Sequence, residues 1–88
     1  MGRYIETERI YIDKTTDLMI SFPPDVIDIG IDNQSKFILY VRDLNGQLIS
    51  KLHDYMYTEF ANPQEEFLIY TNSTSTVEIE ITKIYGSN

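Results

Sequence analysis

Apolar and polar residues alternate with a period of two along most of the chain, and no stretch of ten or more residues keeps a helical period. Tyr4–Ile12 reads as a first strand, with Ile10 and Ile12 inward at its end. After the polar turn Asp13–Asp17, Leu18, Ile20 and Phe22 alternate with Met19 and Ser21 until Pro23-Pro24, which cannot donate to a ladder, ends the strand. Ile27, Ile29 and Ile31 then share one face, with Asp28, Gly30 and Asp32 on the other, and Asp32–Lys36 reads as a polar turn. Phe37–Arg42 is apolar on both faces, the pattern of a central strand or of one at a subunit contact.

Asp43-Leu44-Asn45-Gly46 is the clearest local signal: a tight turn closed by a left-handed glycine, with Gln47–Leu52 as the return strand. His53–Phe60 reads as a further strand, and Asn62-Pro63 breaks the chain. Phe67–Tyr70 is a short strand, Asn72–Ser75 a polar turn, and Thr76–Tyr85 the last strand, with Val77, Ile79 and Ile81 opposed by Glu78, Glu80 and Thr82. About eight short strands separated by turn signals predict one all-β domain over residues 1–88: a small antiparallel sandwich, jelly-roll or immunoglobulin-like. Composition agrees. Isoleucine occurs 13 times, threonine 8 and tyrosine 7, against a single alanine, so β-branched and aromatic side chains dominate.

Charge and chemistry then narrow the function classes. With 14 Asp/Glu against 7 Lys/Arg and no basic patch, direct nucleic-acid binding is disfavoured, although an acidic surface suits a basic protein or mimicry of nucleic acid. The absence of cysteine removes disulfides, thiolate catalysis and thiolate metal sites. MGRYIETERI lacks the apolar core of a secretory signal, and no apolar run is long enough to span a membrane, so neither export nor membrane insertion is expected.

Asp28 and Asp32 invite a metal or acid–base reading. Four residues along a strand span about 13 Å, too far to share a calcium ion or to act as a glycosidase pair. A site there would need a carboxylate from a neighbouring strand, for which Asp13, Asp17 and Asp54 are candidates. The bland alternative is a solvated strand face. Asp43–Gly46 lacks the remaining ligands of a calcium loop. His53 is the only histidine, which argues against zinc; no nucleophile elbow surrounds Ser21 or Ser50, and the four glycines do not cluster into a phosphate loop. No catalytic residue, metal or cofactor is therefore expected.

The remaining candidates are interaction residues. If His53–Glu59 is extended, His53, Tyr55, Tyr57 and Glu59 share one face. Such a patch fits half-buried tyrosines at a sandwich edge, the anchor of a protein contact, or a sugar platform. Gly30 removes a side chain from the acidic face, which marks a bulge or a close approach.

As a whole, a short, acidic, cysteine-free β chain rich in Ile, Tyr and Asn resembles the small accessory proteins of tailed bacteriophage particles, such as capsid-decoration, head-fibre and tail modules. That resemblance implies a non-enzymatic virion component, assembled in the host cytoplasm, whose partners are copies of itself and other subunits. Thr76–Gly86, "TVEIEITKIYG", is similar to the closing strand of jelly-roll sugar-binding modules, which implies carbohydrate as an alternative partner. A small acidic inhibitor that mimics nucleic acid is the third expectation.

Overall fold

Alternation decides which side of each strand is buried, and in the structure, a computed structural model, it does so for eight strands; residues 3–86 are described. They are β1 (Arg3–Ile12), β2 (Leu18–Ile20), β3 (Val26–Asn33), β4 (Leu39–Asp43), β5 (Leu48–Leu52), β6 (Tyr57–Ala61), β7 (Phe67–Tyr70) and β8 (Val77–Gly86). All pairings are antiparallel and form two four-stranded sheets. Sheet A has the order β1-β8-β3-β6, and sheet B the order β2-β7-β4-β5. The pairs nest as one long hairpin: β4 with β5, β3 with β6, β2 with β7, and β1 with β8. This is the strand order of a jelly roll; an immunoglobulin domain would keep its first two strands in one sheet.

The tip of the nest is the expected turn. Gly46 has φ +90°, and its N–H donates to the Asp43 carbonyl at 3.1 Å. Asp43 Oδ1 accepts from the N–H of Asn45 (2.9 Å) and of Gln47 (2.8 Å), so this carboxylate is engaged by its own turn. Between the sheets lie Ile12, Ile29, Ile31, Val77, Ile79 and Ile81 from sheet A, against Ile20, Leu39, Val41, Leu52, Phe67 and Ile69 from sheet B. β4 is central in sheet B, between β7 and β5; its inward Leu39 and Val41 are buried, while its outward Tyr40 and Arg42 are half-buried against Tyr70 and Lys51.

Three local readings need correction. The expected inward row Ile27–Ile29–Ile31 breaks at a bulge between Val26 and Asp28. Val26 takes the core position, 4% exposed, and Ile27 packs over Gly86 instead. His53–Phe60 is not one strand: β6 begins only at Tyr57. Residues 53–56 turn the chain from sheet B to sheet A, with Tyr55 at φ +58°. A strand cannot continue there, because β5 and β6 lie in different sheets and the chain must cross between them. The third correction concerns the polar turn at Asp32–Lys36: Asp32 and Asn33 are strand, and Asn33 is fully buried.

Asn33 fastens both crossovers at that end. Its Nδ2 lies 2.7 Å from the Phe37 carbonyl, 3.2 Å from that of Leu52 and 3.1 Å from that of His53. Its Oδ1 accepts from the Ser35 N–H at 3.1 Å and the Ser35 hydroxyl at 2.9 Å. The Asn33 N–H donates to the Met56 carbonyl at 2.9 Å, and the Tyr55 N–H to the Ser35 carbonyl at 3.0 Å. Asn33→Leu would keep the volume and strand several polar groups. It should lower the denaturation midpoint by the equivalent of about 3 kcal/mol with an unchanged m-value, which urea unfolding measures.

Candidate interaction surfaces

The registers of β1, β8, β3 and β6 lay out the outer face of sheet A as a lattice. One row runs Thr7, Thr82, Gly30, Glu59; the next runs Arg9, Glu80, Asp32, Tyr57; on the other side lie Ile5, Ile84, Asp28 and Ala61. Asp28 and Asp32 do point outward, as the alternation requires. Arg9 bridges the β8 carboxylates, at 3.1 Å from Glu78 and 3.0 Å from Glu80.

Gly30 is where Tyr57 lies down. A Cβ at residue 30 would collide with the phenolic oxygen and come within 3.0 Å of the ring. The missing side chain thus accommodates an aromatic ring from the adjacent strand, two residue pairs along the ladder and on the same face. The Tyr57 hydroxyl donates to Glu59 Oε1 at 3.0 Å. Partial burial of the phenol, helped by that bond and by the carboxylate's charge, pushes its pKa up to about 12.

Of the four expected patch residues, the structure keeps Tyr57 and Glu59 together and moves His53 and Tyr55 onto the turn before β6. Tyr55 is 67% exposed. The carboxylate that meets Asp28 is Glu59, not Asp13, Asp17 or Asp54; Asp13 instead caps its own turn by accepting from the Thr15 N–H at 2.9 Å. Burial first, and the charge of Glu59 second, raise the Asp28 pKa, and Asp28 Oδ1 is buried without a hydrogen-bond partner. Among the described residues no group of three or more His, Asp or Glu side chains is arranged to hold a metal ion.

Two further surfaces complete the picture. The first and last strands both read as charged edges in the sequence, through Glu6, Glu8 and Arg9 and through Glu78, Glu80 and Lys83, but β8 lies inside sheet A between β1 and β3, so only β1 is an edge. The first surface is the outer edge of β1, which among the described residues pairs only with β8. Residues 4–9 are exposed on both faces of that strand. Tyr4 stacks on Tyr85 with ring centres 4.4 Å apart, while Ile5 and Tyr11 are 65% and 59% exposed on one face. Ile5 and Tyr11 are apolar interruptions on a face of threonine and arginine, a signal visible in the sequence once its strand is known to be an edge.

The second is a cleft of ≈ 390 Å³ on the flank where β6 of sheet A faces β5 of sheet B. The β6–β7 connection closes one end, and Ile49, Phe60, Pro63 and Phe67 supply its apolar surface. Phe60 and Phe67 form a tilted ring pair at 5.0 Å. No spacing rule reveals this cleft, because its walls come from two sheets.

The outer face of sheet B has the opposite character. Tyr40 and Tyr70 stack at 5.1 Å, with Lys51 over the first ring and Arg42 over the second, each 5.9 Å away. Met19, Leu68 and Leu48 complete it, and its strands place no carboxylate there. No protein-family model matches the chain, and no curated protein matches it.

Two substitutions test the geometry of sheet A. Because the raised Asp28 pKa means the folded state prefers the proton, the charged form costs stability above that pKa, and the cost fades as pH falls through it. Asp28→Asn should therefore raise Tm at pH 7, with the advantage shrinking under acid conditions in thermal melts. Gly30→Ala should displace the Tyr57 ring and break its bond to Glu59, bringing the phenol's alkaline titration, followed by ultraviolet absorbance, back toward the ordinary value.

Proposed function

We propose that this chain is a non-enzymatic protein-interaction subunit of a larger assembly, present in several copies, with a bacteriophage virion as the assembly its type suggests. The observation that carries this reading is β1. A ten-residue strand with one unpaired edge is a template for another chain's backbone. Natural edges of that length are usually shortened, bulged or covered. Among the described residues this one is none of these, and it carries Tyr4, Ile5 and Tyr11 exposed beside it. Glu6 and Glu8 restrict which partner can pair there without preventing pairing. Large apolar side chains next to unsatisfied backbone are what a permanent protein contact covers.

Size-exclusion chromatography with light scattering should show oligomers, and mass spectrometry of purified particles should find the chain in them. The double variant Ile5→Lys, Tyr11→Lys should be monomeric yet equally stable, since exposed substitutions shift stability by only about 0.5 kcal/mol. A wild-type monomer absent from every particle would sink the proposal.

A further inference from the structure

We infer that the flank cleft between β5 and β6 is a docking site for an extended basic segment of a partner protein, which adds a strand to the free edge of β6 and seats lysine or arginine side chains among the carboxylates of the β6–β7 connection. The inference rests on the reading of this chain as a protein-binding subunit and names the chemistry of one partner.

Three observations meet at this place. The first is the backbone. Among the described residues β6 pairs only with β3, and β5 only with β4, so both strands bordering the cleft turn unpaired N–H and C=O groups toward it. An extended chain satisfies such groups; a compact small molecule does not. The five residues of β6 span roughly 17 Å, which is room for about five residues of added strand.

The second is shape. The cleft's ≈ 390 Å³ falls within the range of binding pockets, and its apolar wall includes Ile49, which is 46% exposed and unused by the core. An alternating segment would lay apolar side chains on that wall and turn every second one toward the rim.

The third is charge. The ionisable residues lining the cleft are Asp43, Glu59, Glu65 and Glu66, all acidic. The chain carries a formal charge of −7, so its long-range field also favours a cation's approach. Asp43 and Glu59 are engaged by the hairpin turn and by Tyr57. Among the described hydrogen bonds and ion pairs, none engages the side chains of Glu65 and Glu66, which leaves them to receive the ligand's charge.

The test is a nuclear magnetic resonance titration of the full chain with blocked five-residue peptides. Acetyl-Val-Arg-Val-Lys-Val-amide should give saturable shifts at the amides of Ile49 and of residues 57–66. The matching Val-Glu-Val-Glu-Val peptide should give none. Glu65→Gln with Glu66→Gln should weaken the basic peptide about tenfold, as expected for two partly exposed charge contacts. Glu65→Lys with Glu66→Lys should reverse the preference between the peptides.

A basic peptide methylated at its backbone nitrogens should lose binding if a strand is added. Equal binding of the two peptides, unchanged affinity in the glutamine variant, equal binding of the methylated peptide, or equal binding of arginine amide alone would each overturn the inference. Peptide binding by a wild-type monomer would uphold the cleft while removing the assembly, and an oligomer that ignores the peptide would do the reverse.

Discussion

The buried side chain of Asn33 holds the two sheets in one relation. A jelly roll of this size has little core to spare, and its strands repeatedly leave one sheet for the other. Each crossing takes backbone groups out of any ladder, and under a sandwich they cannot all reach water. One amide answers for two of these crossings, β3–β4 and β5–β6, by reaching carbonyls in both. Isoleucine in the same place would pack as well and satisfy nothing. The turn that follows, with Tyr55 in a left-handed conformation, is held by bonds from the same knot.

Much of this fold was legible in the sequence, for a physical reason. A strand with one wet face must alternate, and Val77–Ile79–Ile81 against Glu78–Glu80–Thr82 could hardly be anything else. Asp43-Leu44-Asn45-Gly46 is equally local, since its hydrogen bonds lie within the turn and its first neighbour. What was not legible depended on partners distant in the chain. The bulge that exchanges Ile27 for Val26 appears only against Tyr85 and Ile84 of β8. Asn33 looks like any polar turn residue until Leu52 and His53 arrive. The alternation of His53, Tyr55, Tyr57 and Glu59 was real as a pattern, but the crossover used its first half. The same limit applies to the site. Gly30 announced a close approach, while the identity of the approaching group, Tyr57, required the pairing of β3 with β6.

Charge is distributed by sheet rather than by sequence segment. Sheet A carries Asp28, Asp32, Glu59, Glu78 and Glu80 outward, tempered by Arg9, and sheet B shows stacked tyrosines under Arg42 and Lys51. An overall acidic composition therefore conceals a molecule with two electrically different sides. The acidic flank cleft lies at the border between them. Orientation relative to neighbours follows from that asymmetry, because a partner meeting one face meets a different field from a partner meeting the other.

The outermost pair of the nest brings Arg3 opposite Gly86. Entry and exit of the chain therefore share one end of a body 43 Å long, while the Asp43–Gly46 tip closes the innermost pair. A domain wired in this way behaves mechanically like a lug on a single post. Whatever is joined to either end pulls on the same two strands, and tension applied between the ends peels β1 from β8 one ladder bond at a time instead of shearing the whole sheet. Such a body can be set into a loop of another protein, or hung from it, without stretching its host.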